Sequence, residues 1–484
     1  SGGNLVGATL PGAPLIVIGR NDRIAWTNTT NEIDSADLIA APAGGFDNVR
    51  VRTETIVVRD WFGFSHKETI SARRAPDGPI LDPAYFNLKA YKGRPVMLRS
   101  AALDPHNRVF SAIAAMTGAQ SVAGFIAASE GWTAPMTHEL VASTDGDIGL
   151  VSTGWLPLRD ESGAWAGSVP WTAQPNIENP KSGIIVTANN LATPAAYPYP
   201  MPGAFATYRI TRIRTLLDQG AGADLDAAAA MQMDVASVFA ERVLPPLVAM
   251  AAPQTPAGAA ALAKLKTWDG AMEGERPEPL IFAAWIGALS RAVYEDDLGP
   301  DLFKLYAGPR QNFLDTVFTG PAAAWCDRKG TPQRETCAAL AGPALDEAAA
   351  ALAKRYGDDQ DRWRWRAAHQ ANFAHPLFGA MPLLGALFDV RQGVGGDAGT
   401  IFAGAYEGED FTDRHGPSFR VVYDLSDLNR SRFVIAPGQS GHPLSPHFKD
   451  LLDDWASRRG FEIRTDFDPA KPPPGSSTLT LTPN

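Results

Sequence analysis

The sequence predicts an α+β fold, a four-layer αββα core carrying a helical insertion between about 221 and 375. Three observations predict it: apolar runs arranged as buried hairpins early in the chain, helical periodicity in the middle, and a return to strand-like runs after Phe378. Strands on both sides of a helical block imply one sheet system completed from distant segments. The expected division is a β-rich core part over 1–220, a helical region over 221–375, and C-terminal strands with a helix over 376–484 that complete the core.

Taken in order, Pro11-Gly12 is a turn, residues 15–18 are a continuous apolar run suited to a strand buried on both faces, and Asn21-Asp22 is a tight polar reversal into 24–27. Further short strand-like runs fall at 49–58, 66–70, 96–101 and 109–115, with a helix at 122–129. Residues 139–144 and 147–153 flank Asp145-Gly146, the dipeptide favoured in two-residue hairpin turns because both positions accept positive φ. From about 221 the chain turns Ala-rich, with apolar spacing that predicts helices at 225–243, 257–268, 279–294, 302–318 and 345–356. Late strands are expected at 419–424, 432–436 and 478–481 and a helix at 448–458, while the Pro/Gly-rich tail 469–477 reads as a surface connection. The sequence contains no internal repeat.

Composition narrows the function. With 484 residues and 45% hydrophobic side chains the chain has ample material for a core. It carries 43 basic and 53 acidic residues, net −10, with no basic block to track phosphates or an anionic membrane, so nucleic-acid and membrane partners are excluded and a small molecule is expected. No run of eighteen apolar residues occurs and the opening SGGN has no signal-peptide character, so a soluble, mature or trimmed chain is expected. The only cysteines, Cys326 and Cys337, flank a Gly-Thr-Pro turn that folds the segment back on itself. One local disulfide, and with it a periplasmic or extracellular location, is expected, with two free thiols as the alternative.

Several stretches carry a family resemblance: Gly7-Ala8-Thr9-Leu10-Pro11-Gly12, then Gly19-Arg20-Asn21-Asp22-Arg23-Ile24-Ala25-Trp26 and a small-polar run ending in acids; Asp145-Gly146-Asp147-Ile148-Gly149; Gly154-Trp155-Leu156-Pro157-Leu158-Arg159; Asn179-Pro180-Lys181-Ser182-Gly183 leading to Asn189-Asn190; His415-Gly416-Pro417-Ser418-Phe419-Arg420; and Pro437-Gly438-Gln439-Ser440-Gly441-His442-Pro443. Together they resemble the β chain of the penicillin amidases, which are N-terminal-nucleophile hydrolases. The resemblance implies the αββα core of that class, hydrolysis of the amide bond of N-acyl compounds such as β-lactams and acyl homoserine lactones, and a separate α chain of the same precursor that shares the acyl pocket. Trp26, Phe46, Trp132, Trp155 and Trp171 are candidates for the pocket wall or, as lone aromatics, for the core.

In this family the nucleophile is the hydroxyl of the β chain's first residue, which implies Ser1, and the general base is that residue's own α-amine. An amine titrating near about pH 8 takes the hydroxyl proton without a histidine. The oxyanion formed by attack on the amide needs two preorganised donors, each worth roughly 3 kcal/mol of barrier. By position these are the backbone N–H of Thr30 and the side-chain amide of Asn189, with Arg209 matching an arginine that orients the nucleophile. Asp34, the carbonyl of Ala36, and Asp37 match positions that hold a calcium ion in relatives, and oxygen ligands suit that cation.

Two departures stand out. The 157–165 connection, which should carry another calcium ligand, is short, and 191–220 contains one acid, Asp218, so two solvated acids are the alternative to a calcium site. Six residues precede Gly7, where the family has a longer stretch forming the nucleophile's strand and the next hairpin; either Ser1 is a shortened nucleophile or that strand lies upstream. Two other readings stay open: a serine hydrolase using Ser440 with His442 or His415, although Gly438-Gln439-Ser440-Gly441 lacks the Gly-x-Ser-x-Gly elbow, and a non-catalytic binding protein of the same fold.

Overall fold

A computed structural model describes residues 3–60, 62–193, 196–306, 308–466 and 471. Ser1, the expected strand at 478–481 and, apart from Lys471, the tail at 469–477 lie outside the described residues. The chain mixes helices and sheets and divides into two compact units, Ser1–Phe205 and Ala206–Asn484.

The first unit opens with strands β1 (Val6–Leu10), β2 (Ala13–Arg20) and β3 (Ile24–Thr30). Asn21 makes the reversal between β2 and β3: its Oδ1 accepts the N–H groups of Arg23 and Ile24 at 2.8 and 2.9 Å, and its Nδ2 donates to the carbonyls of Thr117 and Ala119. Next come β4 (Ala36–Ala40), the long and largely exposed hairpin β5 (Arg50–Arg59) and β6 (Ser65–Ala75), then β7 (Gly78–Leu81) and β8 (Val96–Ser100). Helices α1 (Val109–Thr117) and α2 (Val122–Ala128) are followed by β9 (Thr137–Ser143), β10 (Ile148–Thr153), the small hairpin β11 (Pro157–Arg159) and β12 (Trp165–Ser168), and β13 (Asn176–Glu178). The main sheet has the order β1-β2-β3-β9-β10-β13, and a second sheet the order β4-β8-β7-β6-β5.

One face of the main sheet is covered by α1 and α2, where Ile24, Trp26 and Val141 meet Ile113, Met116, Phe125 and Trp132. Trp26 and Trp132 are thus core residues, each under 5% exposed. The run at 109–115, expected as a strand, is the helix α1: its buried positions Ala112, Ile113 and Met116 follow helical spacing, which a short apolar run does not distinguish from a strand. Residues 15–18 are half-buried rather than buried on both faces, because β2 lies next to the sheet edge. The β9–β10 connection has three residues between Ser143 and Asp147, whose backbones bond at 2.8 Å, and Gly146 alone of the Asp-Gly pair takes a positive φ, 97°. A turn closed by a left-handed glycine replaces the expected two-residue turn.

The second unit is mainly helical: α3 (Tyr208–Asp218), α4 (Leu225–Met231), α5 (Val238–Met250), α6 (Pro256–Leu265), α7 (Glu278–Leu305), α8 (Gln311–Thr319), α9 (Cys337–Tyr356) and the short α10 (Trp365–Ala368). Phe239, Leu247, Leu265, Trp285, Leu289, Leu345 and Trp365 form its fully buried centre. The expected helix 225–243 is two helices, since the Asp234 carboxylate accepts the Ala236 N–H and the Ser237 hydroxyl caps α5 through the Ala240 N–H. The expected helix 302–318 is interrupted where Gly308-Pro309 separates α7 from α8. The chain then gives β14 (Gln370–Phe373), α11 (Pro382–Phe388), β15 (Val390–Gly393), β16 (Ala405–Glu407), β17 (Asp410–His415), β18 (Phe419–Val422), β19 (Arg432–Ile435), α12 (Leu452–Trp455) and β20 (Phe461–Glu462). These strands form sheets of order β15-β14-β17-β16 and β18-β19-β20. Only four residues of the expected helix 448–458 are helical, those of α12.

Cys326 and Cys337 form a disulfide that closes an eleven-residue separation. Replacing both by serine is expected to lower unfolding free energy by roughly 3 kcal/mol through the freer unfolded chain. Denaturant titration of wild type and double variant measures the difference, and coincident curves would refute it.

Candidate active site

The site begins with the register of β3 on β9. The backbone bonds Thr144 N–H to Arg23 C=O and Asn31 N–H to Met136 C=O bracket the pair, and the Cα partners run from Ile24↔Ser143 to Thr30↔Thr137. Antiparallel pairs alternate between hydrogen-bonded and non-bonded, so with Arg23 and Asn31 bonded, Thr30 is non-bonded and its own N–H and C=O point away from β9. On that side the ladder with β2 consists of Arg20↔Ala25 and Gly19↔Trp26 and stops short of Thr30.

Asn189 approaches this same edge. Its segment leaves β13 at Asn179, which ties it to the start of β10: its Oδ1 accepts the Ile148 N–H and its Nδ2 donates to Asp147. After the Pro180–Gly183 turn the chain runs alongside β3, where the hydroxyls of Thr187 and Thr29 bond at 2.9 Å. Asn189 sits at φ 63°, left-handed for a residue with a Cβ, between a buried Ala188 N–H bonded to Asn190 Oδ1 and a buried Asn190. Its Nδ2 donates to the Thr30 carbonyl at 2.7 Å. That bond uses one of the two amide protons and fixes the direction of the other. Because N–H and C=O of one extended residue face the same side, the Asn189 amide and the Thr30 N–H come together at one edge of β3.

Behind this edge lies a polar patch on β9 that sequence reasoning missed. His138 is fully buried, with Nδ1 2.8 Å from the Ser152 hydroxyl; burial drives its imidazole down to about 4, partly offset by the Asn190 backbone, and keeps it neutral. Glu139, also fully buried and opposite Asn28, is pushed up to about 8 by burial against hydrogen bonds from Thr137 and Asn28. The Thr137 hydroxyl donates to Glu139 Oε1 at 2.7 Å, while Oε2 has no hydrogen-bond partner among the described residues. The available signal was the polar triplet Thr137-His138-Glu139 opening an otherwise apolar strand.

Gly154, from the Gly-x-x-Pro-x-Arg stretch, has φ 105°, and a Cβ there would lie 2.2 Å from Met136 Sδ. Only glycine lets Met136 pass so closely, and Met136 is the residue whose carbonyl holds Asn31.

Asp34 and Asp37 are brought together, but around Arg159. Its Nη1 and Nη2 donate to the two Asp37 oxygens at 2.8 and 3.1 Å and Nη2 donates to Asp34 at 3.2 Å, while Ala36 opens β4. Arg209 belongs to the second unit, in the first turn of α3. The Ser440 hydroxyl accepts the His442 backbone N–H and the His442 ring accepts the Leu444 N–H, an exposed loop arrangement without the hydroxyl-to-imidazole bond a serine hydrolase would need.

The family model described as penicillin amidase matches residues 1–471. Among curated relatives, the penicillin acylase 2 proenzyme of Pseudomonas sp. (strain SE83) is 27% identical over 94% of this chain and 60% of its own length. The acyl-homoserine lactone acylase QuiP of Pseudomonas syringae pv. tomato is 24% identical over 99% of this chain and 62% of its own. The chain thus spans about three fifths of the length of these relatives. Its fold is similar to that of the thermostable penicillin G acylase from Alcaligenes faecalis, with TM-score 0.69, 18% identity, and coverage of 100% of this chain and 92% of that one. Taken with the residues above, these matches show that the chain belongs to the penicillin amidase family.

Proposed function

We propose that this chain is the β-chain part of an amidohydrolase that cleaves the amide bond of N-acyl compounds, of the penicillin or acyl-homoserine lactone kind that its relatives' names carry, working with a separate α chain released from the same proenzyme. The observation that carries the reading is the bond from the Asn189 amide to the Thr30 carbonyl, which sets that amide on the side of β3 that the Thr30 N–H also faces. Two donors fixed by backbone register and by a hydrogen bond of their own are what an oxyanion hole requires.

In the proposed reaction the hydroxyl of an N-terminal serine, for which Ser1 is the candidate in this chain, attacks the amide carbon while its own amine takes the proton. The carbonyl oxygen becomes the oxyanion and is held by Thr30 N–H and Asn189 Nδ2. Collapse expels the amine, which receives the proton, and leaves an acyl ester on the serine; water then attacks that ester and releases the acid. The orienting role that the resemblance gives to an arginine near the serine is assigned to Arg209. For the fold the proposal keeps the four-layer αββα core of this enzyme class, with the main sheet β1-β2-β3-β9-β10-β13 as one of its two sheet layers. The disulfide supports an oxidising compartment, the periplasm or outside of a bacterium. Among the described residues no helix is long and apolar enough to cross a membrane.

The test is mass spectrometry of the protein, supplied with its α chain and full β N-terminus, during turnover of an N-acyl amide. The expected result is an acyl adduct on the N-terminal serine together with amine release. Neither adduct nor release would overturn the reading and leave a non-catalytic binding protein of the same fold.

A further inference from the structure

We propose that the Asp34–Asp37 pair takes no calcium in this chain, its carboxylates being held by Arg159 with no further acid beside them, so that the protein is calcium-independent. The proposal concerns the support of the site and stands whether or not the hydrolase reading holds.

The donor set does not fit the metal. Calcium takes six to eight oxygen ligands, and among the described residues no group of three or more His, Cys, Asp or Glu side chains gathers where it could hold an ion. The two carboxylates that remain are already used. Arg159 grips Asp37 with two parallel N–H bonds and reaches Asp34 with a third, and its Nη1 also donates to the Gly163 carbonyl at 2.9 Å. A fork-on-carboxylate contact of this kind is geometrically specific as well as strong. The hydrogen bond to Asp37 comes first among the causes that raise the Arg159 pKa above its ordinary value, burial opposes it, and the charges of Asp37 and Asp34 add to it, so the group is cationic throughout the useful pH range.

The surroundings reinforce the arginine. Asp160, the nearest acid in the short connection, spends its Oδ1 on the Ser162 N–H, the Ser162 hydroxyl and the Ala164 N–H, closing its own turn and presenting the Gly163 carbonyl to Arg159. Arg99, the cross-strand partner of Asp37, lies over the Trp165 ring at 4.9 Å, and Arg159 lies against the same ring at 5.9 Å. Two guanidinium groups therefore neighbour two carboxylates. A divalent cation placed between the acids would displace Arg159 and meet positive charge already in place. Mechanically, Arg159 ties the end of β11 to the start of β4, and with the Asp34 N–H to Pro202 C=O bond it anchors the segment leaving Thr30.

The test is thermal unfolding and metal analysis of the intact protein. Expected results are no retained calcium after dialysis against a calcium buffer, the same melting temperature in excess chelator and in millimolar calcium, and a fall of a few degrees in Arg159→Met without calcium present. The proposal is overturned by one calcium per chain that Asp34→Asn abolishes, by a saturable rise of the wild-type melting temperature with calcium, or by an Arg159→Met protein as stable as wild type. Should that variant fail to fold, the wild-type calcium measurements decide alone.

Discussion

Asn189→Ala is expected to lower kcat for an N-acyl substrate by about a hundredfold or more, with KM nearly unchanged. In the proposed oxyanion role the amide faces charge that exists only in the transition state, so its removal would raise the barrier by roughly 3 kcal/mol while ground-state binding hardly changes. The structure adds a stability cost, because at φ 63° a residue whose side chain cannot bond locally is strained by about 1–2 kcal/mol. Asn189→Gly removes the amide without that strain. The two variants should therefore share the loss of turnover and differ in melting temperature, alanine being the less stable. The Thr29–Thr187 and Ala188–Asn190 bonds do not involve the side chain of 189, so the segment should keep its course in both. Steady-state kinetics with thermal melts on the three proteins separate the effects. Full activity in both variants would remove Asn189 from the oxyanion site, and a raised KM at constant kcat would make it a ground-state contact.

How much of this was legible in the sequence differed by the range of the interaction involved. The Asn21 reversal could be read directly, because an asparagine bonding its own backbone two and three residues on is a local event. So could the strand pair around Asp145-Gly146, although the turn came out one residue longer, since Asp145 had no need to leave ordinary backbone space. Local competition also explains the misread helices: the polar spacing within 225–243 looked continuous, but Asp234 and Ser237 bond to backbone and stop the first helix before starting the next. Thr30 and Asn189 are candidates by resemblance alone, and nothing in their neighbours announces that the side chain of one bonds the carbonyl of the other. In the sequence Arg159 stands in a family motif, while its partners Asp34 and Asp37 match metal-binding positions. Which cation those acids hold depends on a contact across more than a hundred residues, which no spacing rule encodes. His138 and Glu139 were simply two polar residues in a strand until burial made one neutral histidine and one neutral acid of them.

That neutral acid sets the second large effect: Glu139→Gln should flatten the alkaline limb of the stability profile. In the folded protein burial raises the Glu139 carboxyl from an ordinary 4.5 to about 8, so folding takes up a proton in between. A carboxyl with a raised folded-state pKa contributes stability that is whole below about 4.5 and is lost as pH rises toward about 8, a loss of several kcal/mol for a group with no access to water. Glutamine has the shape of the protonated acid, can still accept the Thr137 hydroxyl through Oε1, and has no proton to surrender in this range. The variant should therefore differ from wild type by an offset at acid pH and gain on it steadily up to pH 8. His138 works on the opposite limb: its folded-state value is lowered from 6.5 to about 4, so its contribution is whole above 6.5 and lost as pH falls through that window. Glutamine at 139 leaves that limb as it is. Glu139→Ala removes the same titration but leaves a void beside Asn28 and Thr137, lowering stability at every pH and separating the loss of charge from the loss of packing. Denaturant unfolding of the three proteins from pH 5 to pH 8.5 checks the prediction. If wild type and Glu139→Gln run parallel across that range, Glu139 is ionised in the fold and the neutral acid behind the β3 edge does not exist.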